Sequence, residues 1–521
     1  MRFLNVGDKN AQPEVGKDYE LFEITLMSPK IDSGGSQVRK AYSLNLVYSQ
    51  FSIFEDIYSN CLTGSLSIVD GNSILTEFPI IGDETVQIAF RSLNTPIGIK
   101  LRLRVTGISS IVKISDNIQT YTLHLTTAPA IQSERQKISR SFKHGKTHEI
   151  VRYICEKYLN LKDEMEVEFV QTGDYYVRQK DIEEEYYTVE SLAGHVESYV
   201  APYQSPFKII NTLCKRSINS DGVGYLFFQD INRFRLTSIE HLFSIKRKQK
   251  LIRKLVYFPD GIIEDKTQND LTVSWLKVDK YVIKNRFDVL RSLHDGMYGS
   301  DVTFLDIEKH DFINKSYRYE RDSSKFHHVS DKFLLHSKSS DLMNTETDVS
   351  TGVKLVVPFH QGDEASCDFS IHKDEIFQRE LAVRLQMKAI VIEVEISGDS
   401  SGDIEIGDVV EFLFPSDISA DQDQEEADIF LSGRYLVSRI HHHVSIDENY
   451  RMIVELISDT INSAHSVDNG AEDVAIKVDS KDTIVMNQDV VDVETSEFSK
   501  GFLAVKNYEE RARILRNAVT G

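Results

Sequence analysis

Three adjacent histidines, His441, His442 and His443, are the residues in this sequence best suited to chemistry. Imidazole is the commonest metal ligand, and on an extended strand His441 and His443 share one face. No Asp, Glu or Cys stands nearby at ligand spacing, so the run predicts a strand end with one ring packed inward rather than a metal centre. His327-His328 is a weaker version of the same pattern. Gly398-Asp399-Ser400 has the order of a serine-protease nucleophile turn, but Ser401 and Gly402 follow it rather than two glycines. No His and Asp stand in a partnering context, so a β-turn is expected there. His144-Gly145-Lys146-Thr147 is like the end of a phosphate loop, yet the first glycine of that loop would fall on Arg140, so a helix start is the reading. The acid run Glu183-Glu184-Glu185 serves glycoside hydrolysis only if the fold sets carboxylates across a bond, and it is read as a solvated face. No nucleophile elbow appears. No catalytic residue, cofactor site or metal site is therefore assigned.

The chain that must position these residues has 521 residues, 41% of them hydrophobic and 27% charged, with a net charge of −21. That is the balance of a globular protein, of roughly three to four domains by length. A free nucleic-acid binder usually carries a basic footprint, and this chain repels phosphate as a whole. No apolar run reaches membrane-spanning length, so no membrane anchor is expected, and MRFLNVGDKN lacks the pattern of a secretory signal. Cys61, Cys155, Cys214 and Cys367 stand alone, without paired spacing, and read as reduced small hydrophobes of a protein assembled in cytoplasm.

The first 130 residues alternate with period two. Ile99, Leu101, Leu103 and Val105 oppose Lys100, Arg102, Arg104 and Thr106; Val86, Ile88 and Phe90 form one face, as do Tyr121, Leu123 and Leu125, and Leu62, Leu66 and Ile68. In 41–49, Tyr42, Leu44, Leu46 and Tyr48 are read as one strand face. Several strands with one polar face each predict an antiparallel barrel or sandwich. The character then changes. Thr147 is the expected cap of a helix carrying Ile150, Val151, Ile154, Cys155 and Tyr158; Ser205 caps a second, with Pro206 first and Phe207, Ile209, Ile210, Leu213 and Cys214 on its buried face. A hairpin follows, Tyr225–Gln229 and Phe234–Ser238 around Asp230–Asn232. A helix at 374–388, with Phe377, Leu381 and Leu385, leads into a second strand-rich block, interrupted by the acidic loop 417–428. The final stripe, Val505, Tyr508, Ala512, Leu515 and Val519, predicts an amphipathic C-terminal helix and is the candidate interface.

The predicted class is α+β, mainly β. The divisions are 1–130, a first β-barrel; 131–250, an α/β domain; 251–372, a further β-rich region; 373–460, a second β-barrel completed by earlier segments; and 461–521, a polar linker and the C-terminal helix. Four stretches, 53–90, 127–159, 205–242 and 433–459, are together similar to the baseplate central hub proteins of contractile-tailed bacteriophages, a family sharing its fold with the hub part of type VI secretion spike proteins. The resemblance implies two tail-tube-like barrels per chain and a homotrimer forming a pseudo-sixfold ring. That ring adapts a sixfold tube to a threefold spike, with an open channel for DNA ejection. It implies as partners a separate central spike protein, tail tube or tube-initiator proteins, baseplate wedges and the tape measure protein, in a virion. DNA passes without specific binding, and no cofactor is implied.

Three copies would triple the charge of −21, and acid along a channel would keep a passing polyanion from sticking. Lys100, Arg102 and Arg104 run against that expectation. Two rival readings remain: the hub of another contractile injection system, and a baseplate-associated cell-wall hydrolase, for which no stretch supplies an acid pair.

Overall fold

The structure is a computed structural model. It describes residues 18–460 apart from isolated positions and the segments 34–35, 164–168, 173–174, 179–184, 193–195, 218–222, 244–252, 258–274, 307–309, 323–327, 330–352, 360–372 and 415–430. Beyond Thr460 it describes two short strands, Lys477–Val478 and Ile484–Val485, paired antiparallel. The chain divides into two compact units, Met1–Ala464 and His465–Gly521. The stripe Val505 to Val519 and the acidic loop 417–428 lie outside the described residues.

The period-two runs form the strands they predict. In Gly98–Lys113 the apolar set Ile99, Leu101, Leu103 and Val105 is buried, and Val86, Ile88 and Phe90 of Thr85–Ser92 pack beside it. Burying each such aliphatic side chain stabilises by about 1.5–3 kcal/mol, which fixes register, because a one-residue slip would turn every one outward. The antiparallel order is Tyr48–Asp56, Thr63–Asp70, Gln119–Thr126, Gly98–Lys113, Thr85–Ser92, Tyr19–Met27, Ala41–Ser43.

The reading of 41–49 as one strand is corrected. Strand ends at Ser43, and residues 45–47 turn. Asn45 accepts from Ile24 N at 2.6 Å, a local capture of backbone that asparagine favours. Leu44 is buried while Leu46 is 96% exposed, so the two do not share a face.

The second block is a closed barrel of six strands: Gly433–Ser445, Asn449–Ser458, Ile390–Ser397, Trp275–Asn285, Lys254–Tyr257 and Val409–Leu413, the last pairing back onto Gly433–Ser445. Lys254–Tyr257 runs parallel to both neighbours. The two blocks are one continuous sheet, because Gly433–Ser445 also pairs antiparallel with Tyr48–Asp56, from Arg439 opposite Asp56 to Ser445 opposite Gln50.

Between the blocks in sequence, helices Thr147–Tyr158 and Pro206–Arg216 pack on a four-stranded mixed sheet containing the hairpin Tyr225–Gln229 and Phe234–Ser238. Thr147 is the first helical residue rather than the cap, which is Lys146. Ser205 occupies its cap position without a side-chain cap bond; Ser133 Oγ accepts from Phe207 N instead, at 3.1 Å. A three-stranded sheet, Asp311–Arg318, Gly299–Asp306 and Val353–Phe359, rests on the helix Lys373–Gln386, where Gln378 donates to Ser300 O and Lys315 O at 3.0 and 2.9 Å.

Candidate functional site

The histidine run lies on the seam strand, whose alternation splits it. His441 and His443 point to the outward face and His442 inward. His441 stacks on Phe54 at 4.3 Å, and His443 Nδ1 meets Ser52 Oγ at 3.1 Å. Among the described residues no group of three His, Cys, Asp or Glu side chains could hold a metal ion. Burial, then His443 and His442, press His441 down to about 4, so it is neutral at neutral pH.

His442 heads a buried polar chain. Its Nδ1 lies 2.8 Å from Tyr450 OH, which donates to Asp399 O at 3.1 Å, and its Nε2 lies 2.9 Å from Glu55 Oε1. With the Tyr450 proton given to Asp399, Nδ1 must donate, and one proton is shared between Nε2 and Glu55. The other Glu55 oxygen accepts from Ile231 N at 2.9 Å. Glu55 and His442 are 4% and 2% exposed, so the chain of bonds is closed to solvent. It ties three parts together: the first block through Glu55, the barrel through His442 and Tyr450, and the middle hairpin through Ile231.

The same hairpin carries a second cluster. Arg235, fully buried, donates through Nε and Nη2 to Glu190 at 2.8 and 3.3 Å, and through Nη1 to Ile406 O at 2.8 Å. Asn232 Nδ2 donates to Glu405 at 3.3 Å, and Gln229 accepts from Thr127 Oγ1 at 2.7 Å and Leu62 N at 3.3 Å. A cavity of about 80 Å³ lies where these groups meet, lined by Glu55, Glu185, Asp230, Glu405, Asp399 and His442 among others. Of the acid run, Glu185 is thus a lining residue that accepts from Gln229 Nε2 at 3.3 Å; Glu183 and Glu184 lie outside the described residues.

The remaining candidates resolve into structure. Ser400 Oγ donates to Ile97 O at 2.5 Å and accepts from Ser92 N at 2.9 Å, while Asp399 turns back on Ser401, so this serine is a tether rather than a nucleophile. Gly145 and Lys146 pair in a strand ribbon with Glu197 and Val196, and Lys146 N is satisfied by Glu149 at 3.1 Å, leaving no phosphate cradle. His328 Nδ1 meets Asp459 at 2.7 Å and His327 lies outside the described residues. Burial lifts the thiols of Cys61 and Cys214 to about 12 and of Cys155 well above its usual value, so all three are unreactive.

The outward face of the continuous sheet is polar and mixed in sign. Arg439 pairs with Asp56 at 2.8 Å and Glu455 at 3.4 Å, and Lys284 with Glu393 and Glu455. Lys280 and Arg451 both reach Glu395. In the first block Arg91 pairs with Glu20 at 2.8 Å and Arg104 reaches Asp83. A groove of about 440 Å³ opens on this face, lined by Phe54, Asp56, Lys284, Arg439, His441 and Glu455 among others. Exposed pairs of this kind contribute about 0–1 kcal/mol each, so they leave the surface hydrated and locally neutral rather than building stability.

Sequence reasoning missed His442, Glu55, Tyr450 and Asp230 as a set. One signal was present: Glu55 falls on the apolar register of Phe51, Ile53 and Ile57, where a carboxylate needs a partner.

No family model matches the sequence, and no curated protein matches it. Among solved structures, the chain is similar to a tail protein from Neisseria meningitidis MC58, at 10% identity and a TM-score of 0.45 over 85% of this chain and 98% of that one. A 43 kDa tail protein of prophage MuSo2 from Shewanella oneidensis gives 10% identity and 0.45 over 84% and 98%. The E. coli c3393 protein, described as a type VI secretion component with structural similarity to T4 bacteriophage tail proteins gp27 and gp5, gives 8% and 0.38 over 79% and 73%.

Proposed function

We propose that this chain is a structural subunit of a contractile-tail baseplate, a trimeric central hub that adapts a sixfold tube to a threefold spike around a channel for DNA. One observation carries the reading. The first and fourth stretches of the family resemblance, 53–90 and 433–459, are those it assigns to two separate tube domains, and their strands Tyr48–Asp56 and Gly433–Ser445 hydrogen-bond side by side. Two β-blocks of one chain that share a sheet form a double-width wall segment. Three such segments close a ring of six blocks, provided neighbouring copies meet through unlike edges.

The polar, paired outward face supports a wall that neither binds DNA tightly nor repels it strongly. The pairs at Arg439, Lys284 and Arg91 leave this face locally neutral, and in this reading it is the face turned toward the channel. The polar tail after 460 is assigned to partner docking, with Val505, Tyr508, Ala512, Leu515 and Val519 as its apolar stripe. The hub of another injection system has the same requirements, and a separate spike polypeptide distinguishes the phage form.

Electron microscopy of the purified chain with its spike protein tests the reading. A threefold ring with an open centre is the expected image. A closed particle without a central opening, or a monomer in the presence of the spike, overturns it. Deleting 501–521 is expected to abolish spike copurification while leaving the ring intact.

A further inference from the structure

We propose that the Asp230–Arg233 turn is a proton-operated latch: with Asp230 protonated it holds the middle α/β region seated against both β-blocks, and ionisation of Asp230 loosens that seat. The inference does not depend on the assembly reading above.

The geometry is that of a carboxyl group built to be neutral. Asp230 is 1% exposed. Its Oδ1 accepts from Asn232 N and Arg233 N, both at 2.7 Å, while Oδ2 is buried with no hydrogen-bond partner. The Arg235 Nη1 group stands 3.7 Å from Oδ2 and already donates to Ile406 O, with the rest of its guanidinium forked onto Glu190. A buried charge needs pairing and hydrogen bonds together, and Oδ2 has neither in full.

The groups facing Asp230 come from every element packed there. The first block contributes Glu55, joined through His442 to Tyr450 of the barrel; Lys100 and Arg102 also line the cavity. The loop after Ile390–Ser397 contributes Asp399, Glu405 and Asp408, and the middle region contributes Glu185, Glu190, Arg233 and Arg235. Burial first, then Glu405, lift the Asp230 carboxyl; Arg235 and Arg233 pull it down; Glu55 lifts it again, and the result is about 7.

The sign follows. An aspartate whose folded value lies above its unfolded value of 3.8 binds its proton more tightly when seated. The seat is therefore firm at acid pH and weakens as pH rises toward 7, after which the loss levels off. With those two values, the equilibrium for unseating rises about thirtyfold between pH 5.5 and 8.5. What unseats is small and defined: Ile231 N leaves Glu55, Asn232 leaves Glu405, and Arg235 leaves Ile406 O. The buried side chains Leu226, Phe228 and Ile239 lose their cover.

Amide hydrogen exchange of residues 225–238 in the full chain, expressed relative to the intrinsic chemical rate, reads this directly. Wild type is expected to lose protection about thirtyfold between pH 5.5 and 8.5, and Asp230→Asn, a neutral isostere, to stay flat. Flat wild-type protection, or an Asp230→Asn profile that follows wild type, overturns the proposal. Should Asp230→Asn fail to fold, Glu405→Gln carries the test. It removes the neighbouring carboxylate and must move the wild-type transition to lower pH; an unmoved midpoint overturns the latch.

Discussion

Gly398 sits where no other residue fits. An added Cβ would lie 2.1 Å from Cγ of Tyr450, 2.2 Å from Cδ1 and 2.6 Å from Cδ2, about 1 Å inside any tolerable contact. The ring has nowhere to go. Tyr450 is fully buried, packs edge-on against Phe90 at 5.3 Å, and its hydroxyl bridges His442 and Asp399 O. Gly398→Ala must therefore displace the ring and break both bonds, or push apart the strand pair in which Gly398 N donates to Tyr450 O at 2.9 Å. Overpacking costs about 1–3 kcal/mol, and leaving buried polar groups unpaired adds about 1–3 kcal/mol. A total of about 2–6 kcal/mol is expected, read as a fall in the denaturant midpoint of the barrel transition. The cycle sharpens the test. Tyr450→Ala is damaging alone, yet it empties the space the new methyl needs, so the double variant should be more stable than the two single losses predict, by about 1–3 kcal/mol. Additive losses, or a silent Gly398→Ala, would refute the steric argument.

Three other outcomes are expected. Glu55→Leu strands His442 Nε2 and Ile231 N in the core and should cost about 3–5 kcal/mol, whereas Glu55→Gln keeps a polar partner for both and should cost about 1 kcal/mol; melting of the two variants side by side checks the ordering. His441 is held down to about 4 by burial and by its two histidine neighbours, below its unfolded value of 6.5, so its burial costs stability as pH falls through that interval. His441→Leu should flatten the fall in melting temperature between pH 6.5 and 4, and parallel wild-type and variant curves would contradict this. Leu46→Ser should leave melting within about 0.5 kcal/mol of wild type despite its place in an alternating run, because the side chain is already in solvent.

Legibility followed the physics of each segment. In 99–106 every second residue is apolar and the pairing partners obey the same period, so pattern alone decides the strand. In 41–49 the same pattern misleads, because Asn45 offers Ile24 N a local acceptor and the chain turns. The second barrel is read as completed by earlier segments, but which segments complete it was not readable, for a different reason. Lys254–Tyr257 has four residues and gains its place only by parallel pairing with Trp275–Asn285 and Val409–Leu413, partners remote in sequence. The turn Asp230–Asn232 was visible as a turn. That its aspartate is dry depends on Glu55 and Glu405 arriving from two other segments, which no local window contains. Likewise the histidine run advertised metal chemistry, while its working member is the one that the strand alternation points away from solvent.

The seam has a consequence for how the chain folds. Tyr48–Asp56 has Thr63–Asp70 on one edge, but its other edge waits for Gly433–Ser445, nearly four hundred residues later. Until that strand exists, the edge from Gln50 to Asp56 presents unpaired backbone beside Phe51, Ile53 and Phe54, the combination that invites pairing with another chain. The first block also lacks Tyr450, whose ring packs on Phe90. A fragment of residues 1–127 is therefore expected to aggregate, although its own strands satisfy every local rule. Linking it to the strand pair 433–459 by a flexible tether should restore solubility, because that pair supplies both the missing edge and the missing ring. Light scattering and circular dichroism of the two fragments decide the matter. A soluble, monomeric, sheet-rich 1–127 would mean that the first block is a self-sufficient domain and that the seam joins two finished pieces rather than completing one.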